Sequence, residues 1–531
     1  MTRKLLFHSG RIYTQDDRVP YCQAVIIAGG KIEWMGQNSD LYAIPSDEYQ
    51  IVDLEGKTVL PGFWDSHLHF VFWAWSLAML DIEKCKSYSE VLELIKKQAK
   101  KLKKNDWLVG HGWQSDNWRD PVEPHASDLD KIVPRNPVVM FSRDEHSAWV
   151  NSLTLKKLDI DRDTPDPQGG EIVRDRSGDP TGVLLEKAAF EVYSQIPIPR
   201  LGQSLKAVSS AQKNAHSLGI TSVCSFDGAD GFGVLQEYHR KHGLKIRVHH
   251  YVRSEHLDSL LDLHIKDRYG DRFLKICGVK FFADGALGSK TALMFAPYSD
   301  SRTNRGIAQM EYEQLETEIR RAIRGGLSVA VHAIGDKANY NALKAIASAM
   351  GRRKHGYRHR VEHCQLLRKR DIELFARHNV IASVQPCHLV SDLDLVVKYW
   401  GRRARYSYPY SSLLKSGAVL AFGSDGPIDR IDPLWNIYCA VTRKRPADGC
   451  KLYPIERLNV AEAIRATTID SAYAVGREDE LGSISVGKYA DIVILEEDPY
   501  QIEPEKIPFV KVIATLAEGE FVYGDENFEI W

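Results

Sequence analysis

Two histidines separated by one residue stand at the end of an apolar run, in the order Asp65-Ser66-His67-Leu68-His69. If the run is a β-strand, both imidazoles point to the same side, because side chains alternate across a strand. Imidazole is a common zinc ligand, so the pair could bind a metal ion. The spacing alone is a weak signal, but the strand-like run before it strengthens the hypothesis of a metal site.

Three later apolar runs also end in residues that bind metal ions. They are Val331-His332-Ala333-Ile334-Gly335-Asp336, Arg360-Val361-Glu362-His363-Cys364 and Phe422-Gly423-Ser424-Asp425. Each histidine taken alone is more simply a hydrogen-bonded core or surface residue. The joint order of H-x-H, His, His and Asp at successive strand ends is hard to obtain by chance. The pattern therefore indicates one site assembled from several strands.

Eight apolar, strand-like runs alternate with helical stretches through the middle of the chain. The predicted strands are Val59–Trp64, Thr221–Phe226, Ile246–Val252, Ile276–Phe282, Ser328–Ile334, Arg360–Gln365, Val380–Gln385 and Val419–Ser424. This order predicts an α/β protein with a parallel (β/α)₈, TIM-like barrel. Active sites of such barrels lie at the carboxyl ends of the strands, where the candidate ligands fall.

Both chain ends show a different pattern, of short strand-like runs in which apolar and polar residues alternate. The N-terminal end also contains a hairpin turn at Gly29-Gly30. We therefore expect residues 1–58 and 480–531 to form one small β-sandwich domain, and residues 59–479 to form the barrel. Two separate β caps are the alternative.

A long stretch separates the first two predicted barrel strands, far more than one crossover helix needs. We expect a large insertion at about residues 75–205 that covers the active-site face. Within it, His111, Arg143, Asp144 and His146 are candidate substrate contacts. A packing appendage held together by a buried polar network is an alternative of similar weight.

The composition excludes several classes of protein. The net charge of -1 shows no excess of positive charge of the kind that nucleic-acid-binding proteins carry. The aromatic content of 10% argues against intrinsic disorder. No apolar run is long enough for a membrane helix, and the N-terminus does not resemble a signal peptide. Eight cysteines without a C-x-x-C pair suggest no disulfide framework. We expect a cytoplasmic enzyme with a small-molecule substrate and no nucleic-acid or membrane partner.

The sequence resembles the amidohydrolase superfamily, and most closely its amidohydrolase-3 branch of YtcJ-like and N-substituted formamide deformylase-like proteins. The segments that carry the resemblance are Leu60–His69, Gly278–Ser289, Val331–Asp336, Arg360–His363, Phe422–Asp425 and Leu481–Ile494. They extend over nearly the whole chain. They are specific for fold and metal chemistry, and they say little about the substrate.

The resemblance implies a role for each candidate ligand. His67 and His69 would bind the more buried metal ion, and His332 and His363 the second, with zinc expected and other divalent metals open. Asp425 would be a metal ligand and the catalytic proton shuttle. Homodimers are common among such relatives, although no residue here indicates one.

Lys280 matches a position that many relatives carboxylate with CO2, giving a carbamate that bridges two metal ions. An unmodified ammonium has no lone pair and is a poor ligand. The alternatives are that one metal suffices, or that Lys280 pairs with Asp284 or with a substrate carboxylate. Asp284 is also a candidate for substrate binding.

The expected activity is hydrolysis of a C–N bond, in an amide-like substrate such as an N-substituted formamide or an N-acyl compound. An esterase, a lactonase or a deaminase would use the same ligands. A non-catalytic regulatory protein is the alternative from a different class, and the intact ligand set argues against it.

Overall fold

A computed structural model describes residues 4–43, 48–77, 79–113, 118–119, 122–142, 147–167, 170–351 and 356–524. The chain divides into two compact units. The larger contains residues 1–74 and 205–531, and the smaller contains residues 75–204.

Eight parallel strands in the larger unit form a nearly closed barrel sheet. In chain order they are β1 (Phe63–Leu68), β2 (Ile220–Ser225), β3 (Arg247–Arg253), β4 (Leu274–Phe282), β5 (Val329–Ala333), β6 (Arg360–His363), β7 (Ile381–Val384) and β8 (Leu420–Phe422). Each strand pairs in parallel with the next. A bridge between Leu68 and Gly426 joins the first strand to the segment after the last. The predicted barrel is confirmed.

Helices follow most barrel strands. Their bounds are Phe70–Ser76, Leu201–Ser217, Ala229–His242, Leu257–Asp262, Tyr312–Arg324, Asp336–Met350, Glu373–Arg377, Pro386–Ser391, Leu393–Trp400, Tyr410–Lys415, Pro433–Thr442, Val460–Ala466 and Ile469–Ala474. The helix Tyr312–Arg324 shows why they form. Its Leu315, Ile319, Ala322 and Ile323 recur at helical spacing and are all buried.

The first predicted strand, Val59–Trp64, is wrong in its bounds because it joins two strands of different sheets. Thr58–Pro61 pairs antiparallel with Ile492–Leu495 near the C-terminus, whereas the barrel strand begins at Phe63. Both strands are fully buried, so the apolar run continues across Gly62 without a change of pattern.

Strands near the N-terminus form one further sheet, and strands from both chain ends form another. The four-stranded sheet contains Leu5–His8, Ala24–Ala28, Lys31–Gly36 and Gln50–Asp53; the six-stranded sheet contains Arg11–Tyr13, Tyr21–Cys22, Thr58–Pro61, Ile492–Leu495, Val512–Ala517 and Glu520–Gly524. Buried side chains of the two sheets, among them Phe7 and Ile492, form one hydrophobic cluster. The chain ends thus share a sheet and a core.

The smaller unit is built on its own six-stranded mixed sheet. The strands are Leu80–Asp81, Leu108–Trp113, Val138–Ser142, Ser147–Val150, Gly170–Arg174 and Pro180–Glu186, and the helices are Tyr88–Ala99, Ala126–Ile132, Ser152–Lys157 and Lys187–Gln195. Among the described residues of the whole chain, no helix combines the length and apolarity needed to cross a membrane.

Candidate active site

His67 and His69 both lie close to one carboxylate, that of Asp425. His67 lies near the end of β1 and His69 directly follows it. The Nε2 atoms of both rings lie 3.5 Å from Oδ1 of Asp425. The side chain of His67 is almost fully buried, whereas that of His69 is 24% exposed. Two imidazole nitrogens and a carboxylate oxygen therefore converge at one point of the barrel.

The backbone holds Asp425 against the first strand. Its N–H donates to the carbonyl oxygen of His67 at 2.6 Å, and the N–H of His69 donates to the carbonyl oxygen of Gly426 at 2.8 Å. Asp425 has a φ of 62°, in the left-handed region that non-glycine residues rarely occupy. Such strain persists only where the surrounding structure enforces it, and it clusters at functional sites.

A buried ion pair sets the tautomer of His67. Its Nδ1 lies 2.6 Å from Oε2 of Glu362, and Glu362 is paired with Arg360 at 2.5 Å. Burial raises the pKa of Glu362, but Arg360, His67 and Lys280 together outweigh it and hold that pKa well below the usual range. The carboxylate accepts the Nδ1 proton of His67, which leaves the Nε2 lone pair free for a metal ion.

His363 and His332 bring two more imidazoles to the same place. Their ring centroids lie 4.5 Å apart, and that of His363 lies 4.9 Å from that of His67. His363 Nδ1 donates to Oε1 of Gln385 at 2.8 Å, and His332 Nε2 donates to the carbonyl oxygen of Gly285 at 3.1 Å. Each ring therefore keeps one lone pair for a metal ion.

Asp284 is buried, and its carboxylate faces backbone donors. Oδ2 accepts from the N–H groups of Leu293 and Gly335 at 2.8 Å, and Oδ1 accepts from that of Ile334 at 3.0 Å. Oδ1 also lies 3.6 Å from Nε2 of His332. These contacts anchor the loop after β5, and the substrate-binding role of Asp284 stays a prediction.

Lys280 lies on β4 inside the barrel and is 2% exposed. Its ammonium sits 4.5 Å from the ring centroid of Phe226 and 5.3 Å from that of Phe282. Within the described part of the chain it makes no hydrogen bond or ion pair, including none with Asp284. Burial lowers the pKa of Lys280 to about 8, against the opposing effect of Glu362 and Asp425.

Burial also keeps the candidate ligands in the forms that bind metal. It lowers the pKa of His67 to about 4 and that of His332 to about 3, with Lys280 acting in the same direction. Burial raises the pKa of Asp425, but His67 and the other surrounding imidazoles outweigh it and hold that pKa well below its usual range. Neutral imidazoles and an ionised carboxylate are the required states.

His388, which follows β7 within the helix Pro386–Ser391, is not among the residues that the sequence pattern predicts for the site. Its Nε2 lies 3.8 Å from Oδ2 of Asp425, and its ring is nearly parallel to that of His363 at 6.2 Å between centroids. A histidine shortly after a predicted strand end was the available signal. No second ligand at a diagnostic spacing strengthened it.

The donor atoms fit a metal centre. His67, His69 and Asp425 form one group whose donors all lie within 4.8 Å of one another, and His363, His388 and Asp425 form a second. A third group, Cys387, His388 and Asp429, is less suited, because burial raises the pKa of the Cys387 thiol well above its usual value. A neutral thiol is a poor ligand.

The other candidates from the sequence are Asp336, His111, Arg143, Asp144 and His146. Asp336 begins the helix Asp336–Met350 and accepts the N–H of Phe295 at 2.9 Å. His111 lies half-buried on Leu108–Trp113 of the smaller unit, and its role stays a prediction. Arg143, Asp144 and His146 fall outside the described residues.

Comparison with known proteins gives consistent matches along the chain. A model of the Amidohydrolase family matches residues 50–523. The chain is 35% identical to the Arabidopsis thaliana protein LONG AFTER FAR-RED 3, over 98% of this chain and 91% of that protein. It is 33% identical to YtcJ of Bacillus subtilis, over 98% and 99% of the two chains. It is 26% identical to the N-substituted formamide deformylase of Arthrobacter pascens, over 98% of each.

A solved structure agrees with these matches. An uncharacterized metal-dependent hydrolase from Pyrococcus furiosus superposes with a TM-score of 0.79 and is 33% identical in sequence. The match covers 94% of this chain and 100% of that one.

Proposed function

This chain belongs to the amidohydrolase family, and from that premise we propose that it hydrolyses a C–N bond in an amide-like substrate. An N-substituted formamide or an N-acyl compound is the substrate class that we favour. The observation that carries the proposal is the convergence of His67, His69 and His363 around the single carboxylate of Asp425, with the ring of His332 beside that of His363.

The metal ions would be zinc, with His67 and His69 holding one and His332 and His363 the other. When bound, they acidify a water molecule and polarise the scissile carbonyl group. The chain's own residues supply the remaining steps. Asp425 takes the proton of the attacking water and returns it to the leaving nitrogen, as a general base and then a general acid. Glu362 keeps the Nε2 lone pair of His67 turned towards the site.

Lys280 would carry the carbamate that bridges the two ions. Its neutral amine adds to CO2, forming an N–C bond and releasing one proton to solvent. Two observations support the proposal: the ammonium is buried, and it has no hydrogen-bonding or ionic partner among the described residues. Conversion to an anion removes a buried cation and gives two oxygen ligands.

The position of Phe282 favours a substrate that carries an apolar substituent. It ends β4, its side chain is among the exposed large hydrophobic residues at 38%, and its ring centroid lies 5.5 Å from that of His332. An exposed aromatic ring beside the metal ligands offers contact area to an aryl or alkyl group.

The proposal is tested with protein loaded with zinc in bicarbonate buffer. We expect release of amine from N-benzylformamide or from members of a panel of N-acyl amines and N-acyl amino acids. Activity should disappear with a chelator and return with zinc. Matched esters, lactones and aminopurines test the other reactions that this site could perform. Turnover of one of these classes alone would overturn the C–N amide proposal, and a fully loaded protein inert on all of them would favour a regulatory role.

A further inference from the structure

The two ring nitrogens of His388 face different polar groups. Nδ1 lies 3.4 Å from Nε2 of Gln365, and Nε2 lies 3.8 Å from Oδ2 of Asp425. Nε2 is buried and, for the portion of the chain that is described, has no hydrogen-bond partner. A buried polar atom without a partner is unfavourable for folding, so its retention beside the carboxylate calls for a functional explanation.

Two glutamines present opposite ends of their amides to two neighbouring imidazoles. Gln385 offers its oxygen to His363 Nδ1 at 2.8 Å, so His363 carries its proton on Nδ1 and has a lone pair on Nε2. Gln365 offers its amide nitrogen to His388 Nδ1, so His388 accepts there and carries its proton on Nε2. One ring is thereby prepared to bind metal, and the other to donate a hydrogen bond.

We infer that His388 is a positioning residue whose Nε2–H, 3.8 Å from Oδ2 of Asp425 in the structure, moves closer and donates to that oxygen during turnover, and that Gln365 selects the tautomer that does so. This inference rests on the proposed function. Oδ1 of Asp425 faces His67 and His69, and Oδ2 faces His388. A hydrogen bond to Oδ2 prevents rotation of the carboxylate, so that Oδ1 stays on the ligand side while Asp425 exchanges its proton.

The first test uses Co²⁺ as a spectroscopic probe of the chelated and reloaded protein. We expect His388→Ala to leave the shape of the visible spectrum at saturation unchanged, because the ligands are the same. Its Co²⁺ affinity should fall by about tenfold, a typical cost of losing a group that orients a ligand. In a protein that already carries Asp425→Asn, His388→Ala should change the Co²⁺ affinity by less than about twofold, because the effects of two coupled residues are not additive. A changed spectrum would show that His388 is itself a metal ligand. If the effects of the two substitutions on Co²⁺ affinity simply add, His388 does not act through Asp425.

The second test uses turnover of N-benzylformamide. His388→Ala should lower kcat by about 10–100-fold with KM nearly unchanged. His388→Gln, which places an amide donor near the position of Nε2, should recover most of the loss. Gln365→Glu offers an acceptor to Nδ1, reverses the tautomer and should resemble His388→Ala, whereas His256→Ala at an exposed site serves as the control. Equal defects in His388→Gln and His388→Ala would overturn the proposal. If the parent protein hydrolyses no amide, the proposed function fails while the Co²⁺ cycle still decides the role of His388.

Discussion

Asp425 contacts His67 through both its backbone and its side chain. Its N–H donates to the carbonyl oxygen of His67 at 2.6 Å, and its Oδ1 lies 3.5 Å from Nε2 of the same residue. The candidate ligand after the eighth strand is therefore held directly by a candidate ligand of the first. Substitutions that keep the backbone but alter the carboxylate can separate its chemical role from this structural one.

Asp425→Asn should retain most of the bound metal and the fold but lose activity by about 10²–10⁴-fold, because an amide cannot accept and return a proton. Metal content by mass spectrometry and steady-state turnover of N-benzylformamide measure the two effects. Asp394→Asn, which alters an exposed ion pair with Arg445, is the matched control. Turnover close to that of the parent would remove Asp425 from the mechanism.

Lys280→Ala should lose the second metal ion and most activity. The alanine side chain has no amine, so it cannot form the carbamate that we propose as the bridging anion. Acetate or propionate at millimolar concentration should restore part of both, since a short carboxylate fits the space left by the side chain. Lys275→Ala, on the same strand but half-exposed, should behave like the parent. Two metals at full occupancy and full turnover in Lys280→Ala would contradict the carbamate.

Glu362→Gln should destabilise the larger unit by about 3–5 kcal/mol, because it leaves the buried Arg360 without its charge partner. The metal affinity should fall by about 10–100-fold as His67 loses its orienting carboxylate. Urea unfolding and zinc titration measure these changes. Asp448→Asn breaks an exposed pair with Arg445 and should cost at most about 1 kcal/mol. Equal effects of the two substitutions would argue against the role assigned to Glu362.

Phe282→Ala should raise KM for N-benzylformamide by about 10-fold, which corresponds to the loss of about 1.4 kcal/mol of apolar contact. The KM for N-methylformamide, which has no aryl group, should change little, because it does not reach the ring. Leu263→Ala removes another exposed apolar side chain and is the control. A uniform loss on both formamides would indicate a structural effect of Phe282 instead.

Ile492→Ala should destabilise the protein by about 2–5 kcal/mol, because it opens a cavity in the cluster shared by the two chain ends. Val486→Ala, at a 62% exposed site nearby in sequence, should change stability by less than about 0.5 kcal/mol. Thermal unfolding measures both. A small effect of Ile492→Ala would show that the shared core contributes little to stability.

Much of the barrel could be predicted from the sequence, because parallel strands buried on both faces are near-continuous apolar runs separated by amphipathic helices. The sequence predicts β4 at Ile276–Phe282 and the strand is Leu274–Phe282, and the rule for such barrels places the candidate ligands at the strand ends. The boundary at Gly62 could not be predicted, because the apolar run continues from one buried strand into a second buried strand that belongs to a different sheet.

The groups that orient the ligands could not be predicted in this way. The partners of His388 and His67 come from other strands, and only the fold brings Gln365 and Glu362 to them. A tautomer depends on which atom of an amide faces the ring, and sequence spacing carries no information about that.

The hydrogen bond from Asp425 to His67 has a consequence for the order of events during synthesis. A nascent chain that has emerged only as far as β7 already contains all four candidate histidine ligands, but it lacks both the carboxylate and the segment that closes the barrel against β1. The full set of candidate ligands, and the bridge between Leu68 and Gly426 that joins the first strand to the segment after the last, can therefore form only after residues 425 and 426 have been synthesised.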